Sequence, residues 1–228
     1  MDAAEPTARR TRSSRRVWVI TALVVLAIYV VANLAFAQSG QTKLDSGPGQ
    51  VTNGVNFGLA LTSINSTQGE MTLRMIGIPE GEFLDERSGS WAKSIRITMP
   101  FVTSGSNTAD VEAGTPVGGT EDFSFLIDGD PLAYPFDQYR FGVASDDAPD
   151  PETAPITEPA PLLIVQEVDA AGKLTDAAVP VGLFTPDGLQ GWSEVWAAEA
   201  DGNSLSVLLT VKRSGGVFAF VIVVLTLM

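Results

Sequence analysis

Apolar residues along this chain fall into three kinds of run, and each kind predicts a different element. The first run is unbroken. Val17 to Ala37 holds no charged residue, and at about 1.5 Å per residue a helix of that length crosses a hydrocarbon core of about 30 Å. The second kind alternates. Val55, Phe57, Leu59 and Leu61 are followed by Met71, Leu73 and Met75, with Ile64 to Gly69 between them, and this spacing predicts an antiparallel hairpin. Ile95, Ile97 and Met99, ended by Pro100, predict a third strand, and Phe123, Phe125 and Ile127, ended by Asp128-Gly129-Asp130-Pro131, a fourth. Tyr134 to Ala144, Leu162 to Val168, and the alternating Leu205, Val207, Leu209 and Val211 complete the set. Only Trp192 to Ala200 has helical character. The third kind of run is short: from Val217 to Met228 only Thr226 is not apolar. As a helix this spans about 18 Å, so it reads as the start of a second span, with an apolar tail packed on the domain or a lipid-dipping segment as alternatives.

Short strands separated by turn signals predict a mainly β fold, an antiparallel β-sandwich, immunoglobulin-like or similar. It lies outside the membrane, with an N-terminal transmembrane helix and the start of a second one. The expected layout is a basic tail over 1–16, an anchor over 17–37, a flexible Gly- and Ser-containing stalk over 38–54, the sandwich over 55–214 and an incomplete membrane segment over 215–228. Thr103 to Thr120 reads as a loop. So does Asp146 to Pro161, where five prolines and five acids in sixteen residues supply neither ladder donors nor a helical run.

Charge sets the orientation. Arg9, Arg10, Arg12, Arg15 and Arg16 precede the apolar run, and a short basic flank stays in the cytoplasm, which puts the main domain on the outer side of the cell membrane. A cleaved signal peptide competes with the anchor, because Ala35-Phe36-Ala37 is a small-x-small site, although the apolar run exceeds the 7 to 15 residues usual for such peptides. Both readings export the rest. Beyond Ala37 lie 25 of the 27 acidic residues and nine of the 14 basic ones. Such a surface repels phosphate backbones, so no nucleic acid is expected. The expected partner is the lipid bilayer, with another membrane or envelope protein left open; a homo-oligomer is permitted, but nothing in the sequence argues for one. The composition is compatible with a high-GC bacterium.

The chain has no Cys and no His, which excludes disulfide frameworks, Cys-His and Ser-His-Asp catalysis, and thiolate or imidazole metal sites. No catalytic residue, cofactor or metal site is assigned. Ser90-Trp91-Ala92-Lys93 has Ser-x-x-Lys spacing, but Lys93 opens a strand and no partner motif accompanies it. Asp146, Asp147, Asp150 and Glu152, or Asp128 and Asp130, offer oxygen ligands without the spacing of a calcium loop. Asn65-Ser66-Thr67 matches a glycosylation sequon, relevant only in a eukaryotic secretory host.

One motif stands out. Tyr134-Pro135-Phe136-Asp137-Gln138-Tyr139-Arg140-Phe141 is the densest aromatic cluster of the exported part. A bulge or turn near Asp137 would bring its two parities together, with Asp137 capping the turn or pairing with Arg140. Tyr134, Pro135, Phe136, Asp137, Tyr139 and Arg140 are therefore expected to form a structural corner that faces the membrane or a partner. Trp192 and Trp196, at i and i+4, are candidates for aromatic contact.

This motif, the N-terminal anchor, Gly191-Trp192 and the ending in strand, Lys-Arg-Ser and apolar helix together resemble an uncharacterised family of actinobacterial and fungal membrane proteins, the domain of unknown function numbered 4436. The resemblance runs from the anchor to Met228, carries no activity, and implies further membrane spans after the last apolar run. Pentameric ligand-gated channels also resemble it faintly, in the order Pro135-Phe136-Asp137-Gln138, Trp192, Arg213 and Val217 onward, with Tyr139 departing from their pattern. That resemblance implies that the corner from Pro135 to Tyr139 faces the bilayer. The expected function is a non-enzymatic, membrane-anchored binding or scaffolding module, with a shortened subunit of a multi-span channel-like or transport-associated assembly as the alternative.

Overall fold

Apolar side chains at every second position leave each sheet with one face to cover, and this chain covers both by closing one sheet on another. The computed structural model describes residues 10–37, 40–134, 136–144, 156–185, 188–217 and 221. Helix α1 (Arg10–Ala37) leads into β1 (Gln41–Ser46), β2 (Gly54–Asn65), β3 (Glu70–Glu80), β4 (Leu84–Asp85), β5 (Ser90–Trp91) and β6 (Ser94–Thr98). There follow β7 (Val102–Ser104), β8 (Thr108–Val111), β9 (Thr120–Leu126), β10 (Asp128–Gly129), β11 (Gln138–Phe141) and β12 (Val143–Ala144). The last are β13 (Ile156–Glu158), β14 (Ala160–Val168), β15 (Val181–Phe184), β16 (Trp192–Asp201) and β17 (Ser204–Arg213).

The larger sheet runs β1-β16-β17-β14-β6-β8, and the facing sheet runs β15-β2-β3-β9-β7. On one side β17 pairs with β16 along its whole length. Its other edge is shared: β14 takes the first part, from Ser204 to Val207, and β11 takes Leu209 to Lys212. The expected alternation holds. Val55, Phe57, Leu59 and Leu61, with Met71, Leu73 and Met75, are buried, and they join Ile95, Ile97, Leu163, Val165 and the inward face of β17 in one core. Exposed cross-strand pairs, Arg74 with Asp122 and Arg96 with Asp110, mark the register from outside. The fold is thus a β-sandwich, antiparallel except at two edges, where β1 lies parallel to β16 and β15 parallel to β2.

Several expectations are corrected. Trp192 to Ala200 is strand, because β17 offers it a continuous ladder and its residues alternate inward and outward. Residues 41–46, expected in a stalk, pair with β16 from Gln41↔Ser193 to Ser46↔Ala197. The expected loop after Thr103 contains β8, and the one ending at Pro161 contains β13 and the start of β14. Tyr134 and Phe136 are not gathered with Tyr139 and Phe141: the first two are exposed, the second two buried. Pro135, the carboxylates Asp146, Asp147, Asp150 and Glu152, and most of the terminal apolar run lie outside the described residues.

Within α1, Val17–Leu34 is long and apolar enough to cross a membrane and is almost wholly exposed, as a membrane anchor or a signal sequence would be.

Candidate functional site

A hairpin builds the aromatic corner. Asp128 pairs with Arg140 and Gly129 with Tyr139, which leaves 130–137 as the connecting loop. The Asp130 carboxylate accepts from the Leu132 N–H at 2.8 Å and caps a 3-10 turn, Pro131–Ala133; the Phe136 N–H then donates to the Ala133 carbonyl at 2.7 Å. Leu132, Tyr134 and Phe136 consequently project outward, and Leu132 is 92% exposed. A side chain on Gly129 would collide with the Tyr139 ring and the Gln138 carbonyl, so the hairpin closes only around glycine.

Asp137 turns the other way and is 1% exposed. Its partner is Arg213, at the end of β17, whose Nε donates to both carboxylate oxygens at 3.1 and 3.2 Å. The expected partner Arg140 instead donates to the Ile156 carbonyl at 3.4 Å. The Arg213 guanidinium lies 4.1 Å from the centre of the Trp192 ring and 5.2 Å from that of Tyr134. Trp192 meets Tyr139 edge to face at 5.8 Å. One arginine therefore joins the hairpin loop, the start of β16 and the end of β17, through a charge-assisted bond and two ring contacts. The Tyr139 hydroxyl is buried without a hydrogen bond of good geometry among the described residues, and burial pushes its pKa up.

Beside this corner sits a buried carboxylate that sequence reasoning missed. Glu194 shares the inward parity of Trp192 and Trp196 and is 1% exposed. It accepts from the Leu189 N–H at 2.7 Å, from Trp196 Nε1 at 3.1 Å and from the Thr42 hydroxyl of β1 at 3.3 Å. Burial nevertheless raises its pKa, and those three donors only partly oppose the shift. The signal was present as an acid between two inward tryptophans, but it is visible only when the segment is read with period 2. Trp196 is thus a core residue and hydrogen-bond donor, whereas Trp192 belongs to the arginine's surroundings.

Elsewhere the candidate chemistry is occupied by structure. Ser90 bonds the Ser88 hydroxyl at 2.6 Å, and Lys93 pairs with Glu82 at 2.8 Å and Glu167 at 3.1 Å, so neither faces the other as nucleophile and base. Among the described residues no three Asp or Glu side chains converge as a metal site. A hollow of about 190 Å³ between the sheets, with Met75, Trp91 and Ile97 at its base and Asp110, Thr115 and Glu121 around it, presents no such pairing either. The corner can therefore hold elements together and present an apolar loop.

The family model described as a domain of unknown function, DUF4436, matches residues 45–211. Among the curated proteins none matches. Among solved structures, the chain is similar to AChBP from Bulinus truncatus at 8% identity, over 81% of this chain and 98% of that one, with a TM-score of 0.27; a likeness at that score carries no argument.

Proposed function

The chain belongs to the DUF4436 family, and on that premise we propose that it is a membrane-anchored protein whose β-sandwich binds or scaffolds a partner at the outer face of the cytoplasmic membrane. The observation that carries this reading is the junction between α1 and the domain. Only three residues separate Ala37 from β1, and β1 is an edge strand of the larger sheet, clamped to Glu194 through Thr42. So short a junction suits a domain kept close to an anchor. The arginines before Val17 favour the cytoplasm for the N-terminus. Catalysis forms no part of the proposal: the site's two buried carboxylates are engaged, Asp137 with Arg213 and Glu194 with the Leu189 N–H, Trp196 and Thr42.

The chain has no cysteine, so a single Asn203→Cys variant, in the β16–β17 turn, reports the side on which the domain lies. In intact cells it should react with a membrane-impermeant maleimide to the same extent as after lysis. Labelling only after lysis would place the domain inside and end this reading.

A second reading, a subunit of a multi-span channel-like or transport-associated assembly, draws on the other chain end. Arg213 is fixed to Asp137, and the Ser214 N–H to the Gly191 carbonyl at 2.9 Å, immediately before the apolar residues from Val217 onward. The intact mass of the protein extracted from its own membrane separates the two: 24.0 kDa supports the singly anchored module, and several kilodaltons more supports the assembly.

A further inference from the structure

We infer that the loop 130–137 is a lipid-contacting foot: Leu132, Tyr134 and Phe136 enter the interfacial layer of the same bilayer that α1 crosses. This rests on the anchored reading above and adds a second contact with the membrane, made by the domain itself.

Register alone places the loop. Gln41 pairs with Ser193, and Ser193 with Lys212, so the strand that follows α1 begins at the end of the sheet where β17 finishes. Gln138 also pairs with Lys212, so residues 131–134 and Phe136, which precede it in the hairpin loop, extend past Arg213 at that same end. With about 3.5 Å per residue, the four steps from Ala37 to Gln41 cover at most about 14 Å. The end of α1 and the tip of the loop therefore occupy one pole of the sandwich.

Composition distinguishes this pole from the other. Leu132 is 92% exposed, Phe136 69% and Tyr134 53%, within five residues of chain. At the opposite pole the connections are polar: Asp201-Gly202-Asn203 joins β16 to β17, and the turn after β14 carries Asp169 and Lys173, closed by bonds from the Ala171 and Lys173 N–H groups to the Asp169 carboxylate. Three outward apolar or aromatic residues at alternate positions, in a loop that opens on a capped 3-10 turn, form a wedge rather than a scatter of surface residues. Tyrosine and arginine beside such a wedge suit the headgroup level, where an amphipathic ring or a stem with a charged tip has one end apolar and the other wet. Charge does not select the lipid. Asp128, Asp130 and Asp137 stand against Arg140, Lys212 and Arg213 around the loop, with Arg213 already paired to Asp137, so the contact is driven by apolar burial and should not need anionic headgroups.

The test uses the full chain, which lacks cysteine, in phosphatidylcholine liposomes. Leu132→Cys and Phe136→Cys carry a nitroxide at the foot, Asn203→Cys at the far pole and Leu23→Cys within α1. Collision with oxygen, which concentrates in lipid, is compared with collision with a water-soluble nickel chelate. The ratio of oxygen to chelate collisions at 132 and 136 should exceed that at 203 several-fold and approach that at 23, with no change when phosphatidylglycerol is added. A ratio at 132 and 136 equal to that at 203, with 23 in lipid, would overturn the foot and leave the anchor standing. Shielding of 132 and 136 from both reagents would overturn it in favour of a second copy covering the loop. A watery Leu23 would remove the anchored reading itself, and the foot with it.

Discussion

At the scale of single residues, the corner depends on an ion pair whose two members differ in burial. Asp137 is almost fully enclosed and Arg213 about one quarter exposed. Arg213→Ala would leave a buried carboxylate without its cation, and full-chain unfolding in denaturant should show a loss of about 3 kcal/mol. Arg213→Lys should recover only part of it, because an ammonium cannot lie flat against Trp192. Glu194 acts in the opposite sense. Its folded carboxyl titrates above the ordinary 4.5, so below that pH both folded and unfolded states hold the proton. As pH rises past 4.5 the unfolded chain releases its proton first, and the native state loses stability until the folded carboxyl has also ionised. Relative to Glu194→Gln, the natural protein should therefore weaken from pH 4.5 upward, by at most about 1.4 kcal/mol per unit, and then level off; denaturant melts from pH 4 to 8 read this directly. A natural protein that gains stability relative to Glu194→Gln as pH rises would contradict the assignment. Asp137 was legible as a turn residue in its motif, but its partner was not, since Arg140 is three residues away in sequence and Arg213 seventy-six.

At the scale of elements, tight hairpins and edge strands carry the burden. Gly129→Ala should cost about 1–3 kcal/mol, because its methyl group would have to displace the Tyr139 ring or part β10 from β11; thermal unfolding measures it. The edge strand β1 makes a separate prediction. If residues 41–46 are replaced by a Gly-Ser segment of equal length, the amides along β16 should exchange about tenfold faster or more, while those of β2 and β3 stay protected. Uniform loss of protection would mean that β1 is integral to global folding rather than to one edge. The strands with clear alternation, β2, β3, β6, β9 and β17, were legible because large apolar residues occupy one face of each, although in the first half of β2 the other face, with Gly54, Asn56 and Gly58, is buried as well. Strand β1 was not, since Gln41–Ser46 is mostly exposed and so shows no apolar face. For β16, Trp192 and Trp196 satisfy a period of four as well as of two, and only pairing with β17 decides between helix and strand.

For the whole molecule, stability comes from a single apolar core with no covalent staple. The melting temperature should be the same with and without a thiol reductant, and Phe57→Ala, in the middle of that core, should cost about 3–5 kcal/mol. The sequence by itself determined the apolar helix, the acidic domain after it, the sandwich class and the conspicuous aromatic motif, because each of these is a matter of composition or of periodicity along neighbouring residues. Only the tertiary structure decided that Arg213 closes on Asp137, that Glu194 is buried against β1, and that the loop before Gln138 shares a pole with the start of β1. Those relations depend on which strands lie side by side and in what register, and register is fixed by the simultaneous burial of residues far apart in the chain, which no local pattern encodes.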